Sequence, residues 1–470
     1  MARPQADLRE LAARGPIHFI GIGGAGMCAL AELVLRSGGK VSGCDLKHSQ
    51  AAQDLIRLGA SIEVGHDTAH LGGAVAVVLT SAVPQDHPEV TAAHAMGIPV
   101  FKRAKALGDW VIGESVVAIA GTHGKTTTTA MTTEILASAG FNPTGLVGGR
   151  VIGWKSNLRF GSDALFVVEA DEYDKSFLTL SPDVAVVTNV EADHLDIYSD
   201  FSGVREGFVE FVSGLREGGR VIVCADDYGA ASLLPRLGST GYTYGTAAGS
   251  MLRATDVTVT PEITRCAVHE NGNSIGHLEI PGGGRHMLLN ALGASAVARS
   301  MDVEWPAILQ SLSSFGGVTR RFERLGRVAG IEIIDDYAHH PTEVSVTLEA
   351  ARSIFPGARL IAVFQPHLYS RTKEFSAEFG AALSEADVLW VTDIFAAREA
   401  PIAGVSGEML VNAVRAVGKS EVHYHPNLET ISEALTGTLR PGDVLLTLGA
   451  GSIESLGQSL LAQLQRLAHA

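Results

Sequence analysis

One unit recurs along this 470-residue chain and constrains its fold more than any other feature. A short apolar run halts at a glycine or an acid, and a helix-patterned stretch follows. "PIHFIGIGGAGMCALAELVLRSG" contains the whole unit, and "KVSGCDL", "AVAVVLTSAV", "SVVAIAGTHGKTTTT", "DALFVVEAD", "DVAVVTNVEAD", "ARLIAVFQPHLYSRT" and "GDVLLTLGAGS" repeat its strand half. Strands buried on both faces read as unbroken apolar runs, and helical crossovers between them build parallel sheets. "QAAQDLIRLGASI" and "EVSVTLEAARSIF" supply helical stretches between strands, whereas 251–281 reads as richer in β-structure. A chain of this length exceeds one ordinary core. The expectation is α/β architecture in three successive domains, 1–113, 114–317 and 318–470.

Apolar residues make up 46% and charged residues 19%, which excludes a disordered chain. The net charge of −15 argues against non-specific binding to nucleic acid or an anionic membrane, both of which need a basic face. The four cysteines, Cys28, Cys44, Cys224 and Cys266, form no C-x-x-C pair and no metal-ligand spacing, so they read as reduced, buried thiols. "MARPQADLRELAARGP" has no signal-peptide core, and no run reaches the ~20 apolar residues of a membrane span. A cytoplasmic protein is expected, without membrane insertion, as a monomer or weak homodimer.

Two glycine loops carry the chemistry. In the first, Gly21, Gly23 and Gly26 form G-x-G-x-x-G between a strand and a helix, with Asp45 closing the next strand. Such glycines let a diphosphate approach the backbone at a helix N-terminus, and the acid is placed as in Rossmann domains. The pattern does not separate a dinucleotide from another diphosphate, and the glycines could serve the turn alone. The second loop, "GTHGKTTTT" at 121–129, lacks the distal glycine of a P-loop, since Ile119 stands there. Its G-K-T core still follows a buried strand and opens a helix. Backbone N–H groups around Gly124 can wrap phosphates, Lys125 can neutralise their charge, and the Thr126 hydroxyl suits Mg²⁺. Thr128 and Thr129 read as an ordinary polar first turn.

Glu169 and His194 end or follow later strands, where ligand sites of parallel sheets gather, and so can meet Thr126 around one metal. A histidine is an unusual partner for Mg²⁺ and would act through water. His286 and Asn290 lie four apart at a helix start, and the amide suits an adenine edge, although helix packing explains the pair equally well.

Taken in order, "GIGGAGM", "GTHGKTTT", "EADEYDKSFL", "NVEADHLD", "GRHMLLNA", "RRFE", "DDYAHHPTE" and "FQPHLYSRT" resemble the Mur ligase family of peptidoglycan synthesis, and "GAGSIESLG" extends the match. Within the family, "GIGGAGM" with "DDYAHHPTE" and "PHLYSRT" is most similar to the branch that joins L-alanine to UDP-N-acetylmuramate. The resemblance implies a Rossmann-like UDP-binding domain, a central P-loop-type ATP-binding domain and a Rossmann-like amino-acid domain. It implies ATP and Mg²⁺ as cofactors, with UDP-N-acetylmuramate and L-alanine as substrates. It places Gly21, Gly23, Gly24, Ala25, Gly26, Asp45, Ser81 and His123 on the UDP-substrate. Gly121, Thr122, His123, Gly124, Lys125, Thr126, Thr127, His286, Asn290, Arg321 and Asp336 fall on ATP. Thr126, Glu169 and His194 fall on the metal, and Tyr337, His339, His367 and Arg371 on the amino acid. Lys125, His194, Arg321, Asp336 and His339 are the catalytic set it implies.

The chain departs from the family pattern at four places. "DIYSDFSGVREGFVEFVSG" lacks the lysine that many members carbamylate, which is the usual condition of the alanine branch. Met287, Leu368 and Ser452 replace an asparagine, an arginine and an aspartate that are frequent there. Three other readings remain open: a ligase that adds a preformed peptide, a nicotinamide-dependent oxidoreductase, and a non-catalytic UDP-sugar sensor. The oxidoreductase leaves Lys125, Glu169 and His194 unexplained.

Overall fold

The computed structural model describes residues 7–469 other than 48, 238–240, 398 and 419, with no side chain described at 196 or 469. The first six residues of the amphipathic opening segment therefore lie outside the described residues. Among the described residues, twenty-one strands form three sheets.

The first sheet contains β1 (Pro16–Ile20), β2 (Lys40–Asp45), β3 (Ser61–Val64), β4 (Ala76–Leu79) and β5 (Val100–Lys102) in the order β3-β2-β1-β4-β5. All its pairings are parallel. The order reverses between β1 and β4, which opens a crevice beyond the strands' carboxyl ends. Gly24 caps the helix Ala25–Arg36 directly after β1. The predicted helical stretch "QAAQDLIRLGASI" is helical over Gln50–Arg57, and its end enters the edge strand β3; β5 is the other edge.

The second sheet takes β6 (Ser115–Ala120), β7 (Thr144–Val151), β8 (Ser156–Arg159), β9 (Leu165–Glu169), β10 (Val184–Val187), β11 (Arg220–Cys224), β12 (Gly241–Gly245), β13 (Leu252–Val259), β14 (Ile263–Glu270) and β15 (Asn273–Pro281). Their order is β15-β14-β13-β12-β11-β10-β6-β9-β7-β8. The strand β6 therefore lies inside the sheet between β10 and β9, both parallel to it. It hands the chain to the second glycine loop and the helix Lys125–Ser138.

The third sheet is β16 (Glu323–Val328), β17 (Ile331–Asp336), β18 (Leu360–Phe364), β19 (Val388–Val391), β20 (Glu421–Tyr424) and β21 (Val444–Leu448), ordered β16-β17-β21-β18-β19-β20. Only the pairing of β16 with β17 is antiparallel. The three-domain α/β expectation matches these three sheets.

By packing, the chain forms two compact units. One runs to Asp256 and includes Cys266–Leu278 and Leu289–Gly316; the other holds Val257–Arg265, Glu279–Leu288 and the chain from Gly317 onward. A continuous core joins the first two sheets within the first unit, where Trp110 and Val111 belong to the same cluster as Phe166 and Phe177. Arg150 reaches Asp54 at 2.9 Å across that junction. The third sheet has its own cores on its two faces. Among the described residues no helix is long and apolar enough to cross a membrane.

Candidate active site

The first glycine loop is held by its own neighbours. Gly21, at φ +75°, donates its N–H to the Cys44 carbonyl at 2.9 Å. Gly23 donates to the Asp45 carboxylate at 2.8 Å, and a β-carbon there would meet Asp45 Oδ2 at 3.0 Å and Ser49 Oγ at 2.8 Å. Asp45 therefore braces the loop, an acceptor for the backbone N–H that the glycine leaves open. A β-carbon on Gly26 would lie 3.0 Å from Arg103, so this guanidinium covers the first turn of the helix. Arg103 was not picked out by sequence reasoning. Ala25 opens the helix behind the Gly24 cap, and Ser81, just beyond β4, donates to Asp174 Oδ2 at 3.0 Å.

The second loop closes around its own lysine. Gly124 caps the helix in the left-handed region at φ +80°, and its missing β-carbon leaves room for Asn290 Oδ1, with which a side chain there would collide. Lys125 Nζ donates to the carbonyls of Gly121 at 2.6 Å and Thr122 at 3.0 Å, and to Glu172 Oε2 at 2.8 Å. Burial works against the ammonium, but Glu172 and Asp171 outweigh it and raise the Lys125 pKa. Burial also pushes Glu172 up to about 7, despite the lysine beside it. Glu172 is the second group that the sequence reading missed.

Thr126 Oγ1 donates to Glu169 Oε1 at 3.1 Å, so the two predicted oxygen ligands meet. His194, at the left-handed start of a short helix, faces Glu172 at 3.6 Å and Asp193 at 3.7 Å. The loop's other side is tied to the segment after β10. Thr122 Oγ1 accepts from Glu191 N at 2.9 Å, and the His123 N–H donates to Asn189 Oδ1 at 2.7 Å. The His123 ring lies 3.6 Å from Glu191. Thr127, Thr128 and Thr129 are buried. Thr128 donates to Asn290 at 3.3 Å, which ties this helix to the helix Arg285–Ser300, and Thr129 donates to the Lys125 carbonyl of its own helix at 2.8 Å.

One short segment connects both loops. In 169–174, Glu169 serves Thr126 and Glu172 serves Lys125, while Asp171 lies 3.8 Å from Arg103 and Asp174 accepts from Lys102 at 2.6 Å and from Ser81.

The second unit gathers the remaining predicted residues. Arg321 lies over the Tyr337 ring at 5.1 Å and 3.7 Å from Glu343. Tyr337 meets His339 edge-on at 5.2 Å, His339 meets His367 at 5.7 Å, and Arg371 reaches His367 Nδ1 at 3.4 Å. Asp336 accepts the N–H groups of Phe322 at 2.7 Å and Ala338 at 2.8 Å, and burial lifts its carboxyl to about 7. His286 packs beside Phe322, and burial together with the Arg321 charge depresses it to about 4. Met287 and Leu368 are buried, and Ser452 exchanges a hydrogen bond with Gln365 at 3.0 Å. Three of the four departures from the family pattern are thus packed or satisfied. Glu343 was missed; it also bonds the His339 N–H at 2.9 Å and completes the cap of the helix Pro341–Ile354.

Three family profiles match in sequence. The Mur ligase family catalytic domain covers 16–114, the Mur ligase middle domain 119–298, and the Mur ligase glutamate ligase domain 320–451. A UDP-N-acetylmuramate–L-alanine ligase of Geobacter sp. (strain M21) is 45% identical over 96% of this chain and 97% of its own. One from Solidesulfovibrio magneticus is 44% identical over 95% and 97%. Among solved structures, a UDP-N-acetylmuramate–alanine ligase of Thermotoga maritima superimposes with a TM-score of 0.83 at 27% identity, covering 96% of this chain and 99% of that one. A murein peptide ligase of Psychrobacter arcticus gives 0.72 at 26% identity, covering 96% and 98%.

Proposed function

The chain belongs to the Mur ligase family, and from that membership we propose that it joins the amine of L-alanine to the lactyl carboxylate of UDP-N-acetylmuramate, using ATP, in peptidoglycan precursor synthesis. The observation that carries this reading is the second loop: a buried lysine in a phosphate-type turn, the next hydroxyl on a carboxylate, in a chain whose curated relatives share this activity.

A carboxylate is a poor acceptor for an amine. Its oxygen first attacks the γ-phosphorus of ATP, releasing ADP and leaving an acyl phosphate. Lys125 exchanges Glu172 and the loop carbonyls for phosphate oxygens at the start of the helix Lys125–Ser138, whose first N–H groups have no acceptor within the helix. Thr126 and Glu169 are oxygen donors already in contact, which fits Mg²⁺, with His194 acting through water. That ion would supply charge stabilisation on the phosphate. The alanine amine then attacks the acyl carbon, and phosphate leaves with one of the original carboxylate oxygens. The departing amine proton needs an acceptor, and His339 and His123 are the candidates.

We assign the UDP-substrate to the crevice of the first sheet, around Gly21–Gly26, Asp45 and Ser81, and ATP to residues 121–127 with Asn290 and His286. Arg321 and Asp336 complete the nucleotide set, and Tyr337, His339, His367 and Arg371 take the amino acid. The corresponding domains are 1–113, 114–317 and 318–470, in a monomer or weak homodimer.

The test uses UDP-N-acetylmuramate labelled with oxygen-18 in its lactyl carboxylate. Label should appear in the released phosphate, and ADP release should depend on L-alanine. Unlabelled phosphate would end the acyl-phosphate route. ADP release driven by a tripeptide and not by L-alanine would transfer the chain to the peptide-adding reading.

A further inference from the structure

The first sheet carries a cluster that the ligation chemistry does not use. His18 projects from β1, Cys44 from the end of β2, and His66 and His70 follow β3, while His87 and Glu89 begin the helix Pro88–Ala95. Exposure is 1% at His18 and zero at Cys44 and Glu89, so the carboxylate sits wholly inside, and Cys44 belongs to the core cluster of Ile20, Leu79 and Val90. Burial pushes Glu89 up, but the donors of His18, Cys44 and His66 outweigh it and bring it to about 2.

Only His66 Nδ1 approaches Glu89 at 3.0 Å; His70, His18 and His87 stand at 3.4, 3.7 and 3.8 Å. Nδ1 of His70 is buried with no hydrogen-bond partner among the described residues. Cys44 Sγ lies 3.3 Å from His66 Nδ1, 3.4 Å from both Glu89 oxygens and 3.7 Å from His18 Nε2. Zinc bonds of about 2.0–2.1 Å to nitrogen and about 2.3 Å to sulfur set tetrahedral ligand atoms roughly 3.3–3.6 Å apart. His18, Cys44 and Glu89 present their ligand atoms within 4.8 Å of one another, as do His66, His87 and Glu89.

We propose that this cluster is a structural site for a divalent transition metal of the zinc class, with His18 Nε2, Cys44 Sγ and Glu89 as its protein ligands. Imidazole, thiolate and carboxylate donors select such an ion over magnesium. The other nitrogen of His18 lies 3.0 Å from Ser42 Oγ, a partner that orients the ring. His87 Nδ1 already accepts the Glu89 backbone N–H at 3.3 Å and therefore caps the helix. Binding sends the Cys44 thiol proton to solvent, and one thiolate with one carboxylate then neutralises the ion's two charges. The Cys44 carbonyl accepts from Gly21 and Ile22 at 2.9 and 3.1 Å, so the ion would anchor the root of the first glycine loop.

The test takes the full chain, strips it of metal, and titrates it with Co²⁺ in excess Mg²⁺, which occupies oxygen sites. One equivalent of cobalt should bind with a thiolate-to-cobalt charge-transfer band, absent from Cys44→Ser and retained in Cys28→Ser. Absence of the band from the parent chain, or its survival in Cys44→Ser, overturns the proposal. Should Cys44→Ser fail to fold, zinc-edge X-ray absorption of the zinc-loaded parent chain decides. A shell with one sulfur and an imidazole nitrogen supports the site, and a shell without sulfur rejects it.

Discussion

At the scale of single residues, position within the fold reverses ordinary chemistry. His286 is held near 4, well below a free histidine, by burial and then by Arg321. As pH falls, the unfolded chain takes up the proton first, so the stability this group confers is complete above about 6.5 and is lost as pH drops through about 4. Each unit of displacement is worth about 1.4 kcal/mol. Asp336, raised to about 7, works in the opposite sense, its contribution being lost as pH rises toward that value. The informative quantity is therefore the difference between the parent chain and His286→Gln. Denaturant midpoints should converge as pH falls from about 6.5 to 4, and parallel curves would reject the account. Lys125, Thr126 and Glu169 were legible because a loop pattern and a strand end announce them. Glu172 was not, since "EADEYD" reads as a solvated acidic run, and only its burial against Lys125 gives it a role. The proposed metal site was equally hidden: His18, Cys44 and Glu89 have no common spacing, and parallel pairing of β1 and β2 brings the first two together.

At the scale of elements, the second loop depends on one conformation. Gly124 adopts φ +80° where a β-carbon would enter Asn290. The left-handed conformation alone costs an L side chain about 1–2 kcal/mol. Gly124→Ala should therefore weaken ATP binding by roughly tenfold or more, measured by calorimetry, while the affinity for UDP-N-acetylmuramate stays unchanged. Unchanged ATP affinity would show that the turn tolerates a side chain. The interior strands were readable because burial on both faces makes them continuous apolar runs, as at β10 and β21. The edges β3 and β20 and the β7–β8 hairpin escaped, because an edge strand half-open to water has no such run. The helix Arg285–Ser300 followed directly from "GRHMLLNALGASAVARS".

At the scale of the whole molecule, two packed units with separate cores should unfold separately. Scanning calorimetry should resolve two transitions, and UDP-N-acetylmuramate should raise the midpoint of the one belonging to the first two sheets by several degrees. A single transition, or both moving together, would reject independent unfolding. The order of the three domains was legible in the succession of strand units, whereas the shared core of the first two sheets was not, because packing between sheets leaves no period in the sequence. Within that first unit, the segment 169–174 has a consequence for how the two nucleotides are handled. Its alternate acids hold Thr126 and Lys125 on one side and Arg103, Lys102 and Ser81 on the other. A ligand that draws Lys125 away from Glu172 disturbs the same few residues that carry the contacts of the other loop. With UDP-N-acetylmuramate on the first loop and ATP on the second, as proposed, any coupling this segment carries is reciprocal: whatever factor UDP-N-acetylmuramate imposes on the affinity for ATP, ATP returns in full on UDP-N-acetylmuramate.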